Sequence, residues 1–353
     1  MLFMPAAPPG LRLGSGCCRG YLASRCDWLM VPFKRAGAAI ATGAALALTF
    51  SGCRRNAEIT VPIASWPGYE YFHLAHARQL DRAEGLAINP LVYPDPQDIV
   101  KAYEQGRIQL AQLTTVEAVD ICARLPKRCP VVVLILDESR GGDKLAVRRT
   151  VASIEGLRGK RVGVTPSTLG PYVLSRALES RGMTMADVRI VPMPLADMGQ
   201  RLASAEIEGA AFFPPFSDQV LADGTAVEVF NSARIPGEIF DILVVDPALY
   251  QGDPATVARL LKVWQQAHDL ARRDPSAEVA MAQREGVSPE VFRESEKGLV
   301  YLSLKQQLPM LAAGGPLQRN LAAVQAVQIK LGTLKAGAPL PVVSDQALKR
   351  ALQ

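Results

Sequence analysis

Two periods of apolar and polar residues alternate along most of this chain. Short apolar runs bounded by turn residues predict strands: ITVPIAS (59–65), LAINPLVYP (86–94), IQLAQLT (108–114) and VVVLILDE (131–138). Between them, helical spacing covers 69–82, 95–107 with Asp95 near its start, and 115–125. The alternation then repeats. GKRVGVTP (159–166), VRIVPMP (188–194) and EGAAFFPP (208–215) read as strands. STLGPYVLSRALESRG (167–182) reads as a helix capped by Ser167 or Thr168, and ADMGQRLASAE (196–206) as another. After EIFDILVV (238–245) the character changes, and from Asp253 onward the chain reads as almost wholly helical.

Strands alternating with helices of roughly 10–15 residues predict an α/β fold, mostly parallel, with helices on both faces of the sheet. Two such halves followed by a helical tail predict two lobes joined by two crossings, near DKLAVRR (143–149) and IFDILVV (239–245). One lobe would hold 58–145 with 245–353, and the other 146–244. Such a molecule closes on a ligand in its cleft.

The first fifty residues follow neither period. Lys34 and Arg35 precede 15 uncharged residues at 36–50, and Ser51 and Gly52 precede Cys53. A basic segment, an apolar core and small residues make an export signal. The core is shorter than the ~20 residues a membrane-spanning helix needs. The ending FSGC resembles the bacterial lipobox, whose cysteine is diacylated, although Phe50 stands where that pattern prefers Leu. Read from Met30 the signal has ordinary length. Residues 1–29 are therefore taken as an upstream extension and 30–52 as a lipoprotein signal, giving an extracytoplasmic protein anchored through Cys53.

Charge and cysteine usage fit that reading. The chain has 39 Lys and Arg against 34 Asp and Glu, but five of the bases and one acid lie in residues 1–52. Residues 53–353 thus hold 34 bases against 33 acids, and nothing suggests a nucleic-acid partner. Beyond Cys53 two cysteines remain, Cys122 and Cys129 in CARLPKRC, a candidate disulfide in an oxidising compartment. No His or second Cys pair lies nearby for zinc.

In open α/β sheets, ligands bind beyond the carboxyl ends of strands. That places Ser65, Trp66 and Tyr69, then Thr114 and Thr115, then Asp137 and Ser139 at a ligand site. Pro166, Ser167 and Thr168 precede a helix whose free N–H groups favour an anion. Trp66 and Tyr69 offer flat faces to apolar, ring-containing or cationic groups. His73 and His76 share a helix face; lacking a third ligand, they read as surface residues and no metal is expected. GxxxxGK[ST], GxSxG and HExxH are all absent, so neither a cofactor nor catalysis is expected.

Four stretches carry a family likeness: SWPGYE (65–70), DESRGGDKLAVR (137–148), SIEGLRGKRVGVTPSTLGPYVLSRALESRG (153–182) and ADVRIVPMP (186–194). Together they resemble the periplasmic solute-binding proteins of nitrate/sulfonate/taurine-type ABC importers, whose superfamily also binds thiamine-pyrimidine precursors. The resemblance implies the two-lobed type II periplasmic binding protein fold, with two parallel-type sheets, a two-segment hinge and a helical C-terminal part. It implies a monomer that delivers a small, anionic or aromatic/apolar ligand to an ABC permease and ATPase. Where many relatives carry an acidic residue after the sixth strand, FFPPF places Pro214, which favours an apolar wall of Phe213 and Phe216. The superfamily's enzymatic branch has a cysteine-rich motif with His that nothing here matches. A receptor of this fold feeding a membrane sensor is the alternative. It gains from Arg54, since inner-membrane retention in enteric bacteria uses Asp after the acylated cysteine.

Mass spectrometry of the native N-terminal peptide should find acyl chains on Cys53. Unmodified sequence upstream of Cys53 in the exported protein would refute the leader reading.

Overall fold

The structure, a computed structural model, describes residues 57–353. The leader, with Met30, Cys53 and Arg54, lies outside the described residues. Twelve strands occur in the described chain: β1 (Ala57–Ile63), β2 (Leu86–Val92), β3 (Leu110–Thr114), β4 (Val131–Ser139), β5 (Lys144–Arg148), β6 (Arg161–Val164), β7 (Arg189–Pro192), β8 (Gly209–Phe212), β9 (Ala226–Asn231), β10 (Phe240–Val245), β11 (Leu299–Val300) and β12 (Val342–Val343). One sheet runs β11-β4-β10-β3, with β12 also paired to β4. The parallel pair β1–β2 stands beside β3. The Gln112 side chain bridges the two, its Nε2 donating to Pro62 O at 3.0 Å and Tyr69 O at 3.4 Å. The second sheet runs β7-β6-β8-β5-β9.

The sheets are mixed rather than mostly parallel. β10 runs antiparallel to both β3 and β4, and β5 antiparallel to both β8 and β9. The cause is the double crossing. β4 ends at the cleft, the chain passes over, and β5 enters the second sheet from its cleft edge; β10 returns the same way. The crossings themselves are 140–143 and 232–239, just upstream of the expected stretches, because DKLAVRR and IFDILVV are mostly strand. They are tied together. Ser139 Oγ and Ser232 Oγ share a hydrogen bond of 2.8 Å, Gly141 N donates to Ser232 Oγ at 2.6 Å, and Ser232 N donates to Asp143 O at 2.9 Å.

The core centres on β4, buried along its whole length as its unbroken apolar run requires. Helices of the tail, Pro254–Ala271 and Pro275–Glu285, cover the first sheet's side and bury Trp264 completely. Arg284 on the second of these forks onto the carboxylate of Glu70, its Nε 2.6 Å from Oε2. Glu70 is fully buried, so this pair pins the SWPGYE loop to the tail. Losing one partner would strand a buried charge, which typically costs about 3–5 kcal/mol.

Several local expectations differ. The helix at Glu70–Ala77 stops where Gln79 takes φ +58°, short of residue 82. Packing also leaves His73 and His76 half-buried rather than on the surface. The helix Gly170–Glu179 starts later than expected: Leu169 occupies its N-cap, and Pro171 presets its first turn. Ser167 is exposed with φ +58°, and Thr168 Oγ1 donates to Thr165 O at 2.8 Å, so neither caps the helix. β9 went unread because its polar residues break the apolar run. No helix among the described residues is long and apolar enough to cross a membrane.

A disulfide joins Cys122 to Cys129, with Cα atoms 4.1 Å apart. It ties the buried face of the helix Thr115–Arg124 to the segment entering β4. Its short loop limits the entropy it removes from the unfolded chain. Replacing both cysteines by Ala should lower the unfolding free energy by about 2 kcal/mol in urea titration. No loss would mean the bond constrains nothing beyond what packing already holds.

Candidate functional site

The pairing of three strands builds the floor of the cleft. In the β3–β10–β4 ladder, Asp241 lies opposite Thr114 on one side and opposite Asp137 on the other. Both β3 and β4 end at the cleft and β10 starts there, so these three side chains share one row at one edge. The loop after β1 folds over that row. Trp66 Nε1 donates to Asp137 Oδ2 at 3.1 Å, and Tyr69 OH donates to Asp241 Oδ1 at 2.5 Å. Between them the backbone comes so close that a Cβ on Gly68 would lie 1.8 Å from Asp137 Oδ2. Glycine is required there by contact, not by torsion.

Thr114 also opens the helix Thr115–Arg124. Its Oγ1 accepts from Glu117 N, and Glu117 Oε2 accepts from Thr114 N at 2.8 Å, a reciprocal cap. That cap points the Glu117 carboxylate at the cleft. The opposite wall comes from the second sheet. Leu169 follows β6, Phe213 follows β8, and Phe213 meets Trp66 edge-to-face at 5.6 Å between centroids. Gln97 Nε2 donates across the cleft to Pro166 O at 2.8 Å. Asp218 bridges the same gap, accepting from Lys144 Nζ at 2.7 Å and from Ser295 Oγ at 2.6 Å.

These walls enclose a cavity lined by Ser65, Trp66, Tyr69, Thr114, Gln112, Glu117 and Asp241 from one side, Leu169 and Phe213 from the other, and Asp143 at the crossing. About 390 Å³, including space open to solvent, is free of atoms there, and the fully clear part is only about 20 Å³. That is room for one or two waters. The walls as they stand leave no room for a larger molecule.

The cavity is acidic. Three carboxylates line it, and no Lys, Arg or His does. Burial raises Glu117 to about 7 and Asp143 to about 7. Burial likewise raises both Asp137 and Asp241, and in Asp241 the facing charges of Asp137 and Asp143 add to the rise. Lys144, next to Asp143 in the chain, is committed to Asp218. Among the described residues no three His, Cys, Asp or Glu side chains converge on a metal-sized point.

The sequence profile of the family described as NMT1/THI5 like matches residues 72–278. The chain belongs to that family. Among curated relatives, the taurine-binding periplasmic protein of Escherichia coli K12 is 23% identical over 276 residues, covering 75% of this chain and 82% of that one. Among solved structures, the alkanesulfonate-binding protein SsuA of Xanthomonas axonopodis pv. citri, bound to MOPS, superposes with a TM-score of 0.65 at 17% identity, over 82% of this chain and 97% of that one. The desulfurization enzyme DSZB also shares the fold, at TM-score 0.60 and 18% identity, over 84% of this chain and 99% of that one. This fold therefore carries both binding proteins and at least one enzyme, and fold alone does not decide between them.

Within this NMT1/THI5 like chain, the residues singled out from sequence divide. Ser65, Trp66, Tyr69, Thr114 and Phe213 line the cavity. Asp137 sits behind Trp66, fully buried. Thr115 is buried in its helix, and Ser139 bonds across the hinge. Ser167 and Thr168 stay out of the cavity wall, where Leu169 takes their place, because the helix begins at Gly170. The three carboxylates that line the cavity, Glu117, Asp143 and Asp241, were missed. Glu117 was legible as a T-x-x-E cap, and Asp241 as the lone acid inside the apolar run IFDILVV.

Buried acids with raised pKa values hold protons in the folded chain that the unfolded chain has already lost. Stability should therefore fall as pH rises from about 4 to about 7. Asp120 and Glu285, also raised by burial, add to that slope. Each acid raised to about 7 contributes about 2–3 kcal/mol between pH 5 and pH 8, so urea titrations should give an unfolding free energy at pH 8 lower than at pH 5 by at least that much. Asp241→Asn should flatten the difference in part; an unchanged slope would exclude Asp241 as a source of it.

Proposed function

We propose that this protein is an extracytoplasmic solute receptor that closes on a small organic ligand between its lobes and hands it to an ABC permease and ATPase. The observation that carries the reading is the composition of the cavity wall. Residues of 58–145 and 245–353, taken as one lobe, face residues of 146–244, taken as the other, with the hinge between them. A ligand touching Trp66 and Phe213 together would stabilise the closed form over the open one, which is how a solute is converted into a shape a permease recognises. The relatedness to a taurine-binding periplasmic protein supports the same class of function and a periplasmic location. A lipid anchor at Cys53 would hold the receptor at the membrane as a monomer. No catalytic step is proposed.

Trp66→Ala should weaken binding of any solute identified by thermal-shift screening at least tenfold in calorimetry, as expected for a buried aromatic anchor worth about 2 kcal/mol. Phe213→Ala, from the half-buried opposite wall, should weaken it also. Thr168→Ala should leave affinity within about twofold, since its hydroxyl is satisfied by Thr165 O. Unchanged binding in both aromatic variants, with folding intact, would move the site elsewhere.

A further inference from the structure

The cleft carries more acceptors than its own donors satisfy. Asp143 is 2% exposed and Gln112 1% exposed, both line the cavity, and neither Asp143 Oδ2 nor Gln112 Oε1 has a hydrogen-bond partner. Asp241 spends one oxygen on Tyr69, and Glu117 spends one on the Thr114 cap. An unmade bond to a buried acceptor costs free energy, more for a charged one. Acceptors that remain unmade therefore describe the donor they await. Around them stand the rings of Trp66, Tyr69 and Phe213, whose faces attract a positive charge.

We infer that the solute of this cleft is a small organic cation, a protonated amine or a cationic ring nitrogen, with its N–H groups on Asp143, Asp241 and Gln112. The inference rests on the receptor reading above and deepens it. An anion is disfavoured on the same evidence. It would face three carboxylates with no Lys, Arg or His in the wall, and the helix start that would have welcomed it presents Leu169 instead. A bare metal ion is disfavoured because the carboxylates do not converge on one point among the described residues.

The test uses matched probes on the exported protein: methyl, ethyl and benzyl carriers, each as the ammonium, the alcohol and the sulfonate, with calcium chloride beside them. Thermal shift should respond to ammonium members only. Calorimetry on the best of these should show at least a tenfold loss of affinity in both Asp143→Asn and Asp241→Asn. Both variants keep the side-chain shape and remove an uncompensated buried charge, so their melting temperatures at pH 8 should equal or exceed that of the parent. Sulfonates that bind, calcium that binds, an absence of any ammonium response, or ammonium binding indifferent to both Asn variants would each overturn the inference. If sulfonates or alcohols bind and Trp66→Ala abolishes it, the receptor reading stands and only the cationic assignment falls. If nothing in the panel binds in a Trp66-dependent way, both fall.

Discussion

The position of one strand organises this molecule. β10 lies between β3 and β4 and runs against both. That placement brings the chain back from the second sheet at the cleft edge, so it creates the second hinge segment. It also puts Asp241 in register with Asp137 and Thr114, so it creates the floor of the site. Hinge and floor are consequences of the same backbone pairing, and neither can be altered without disturbing the other. The loop after β1 is fitted to this floor: Tyr69 and Trp66 each spend their polar hydrogen on one of the two facing acids.

The site is expensive to keep folded. Four acids, Glu117, Asp137, Asp143 and Asp241, are almost completely buried around the floor with few donors among them. Desolvated carboxylates oppose folding unless protonated or matched by a counter-charge. The apolar strands β3, β4 and β10 and the tail helices offset that cost, and the Glu70–Arg284 pair shows what a fully compensated acid looks like a few residues away. Adjacent acids of the same chain thus divide into one that is matched internally and several that are not. Strain of this kind tends to collect where a protein meets its ligand.

Much of the fold was legible in the sequence, since apolar runs and helical periods located most elements within a few residues. Strand direction was not. Periodicity is blind to whether a buried strand runs with or against its neighbours, so the antiparallel returns of β5 and β10 stayed hidden. The same blindness hid half of the site. Looking beyond the carboxyl ends of strands found Trp66, Tyr69 and Thr114, and the FFPPF departure from the family pattern found Phe213, but Asp241 lies at the beginning of a strand and Asp143 in a crossing. Ser167 misled for a different reason. Ser-Thr before a helical run is a good capping signal, yet the Gly170-Pro171 pair fixes a later start and turns Ser167 outward.

The topology also separates the order in which the chain is made from the order in which its parts can be finished. The second sheet needs nothing beyond β9, which ends at Asn231. The first sheet, although it begins at the amino end, lacks its central strand until Val245 and its last edge pairing until Val343. In a chain delivered amino-end first across a membrane, the later-starting half is therefore complete while the earlier-starting half is still an open edge. During that interval β3 and β4 lack the strand that will separate them, and their apolar surfaces are the segments most in need of protection from wrong partners.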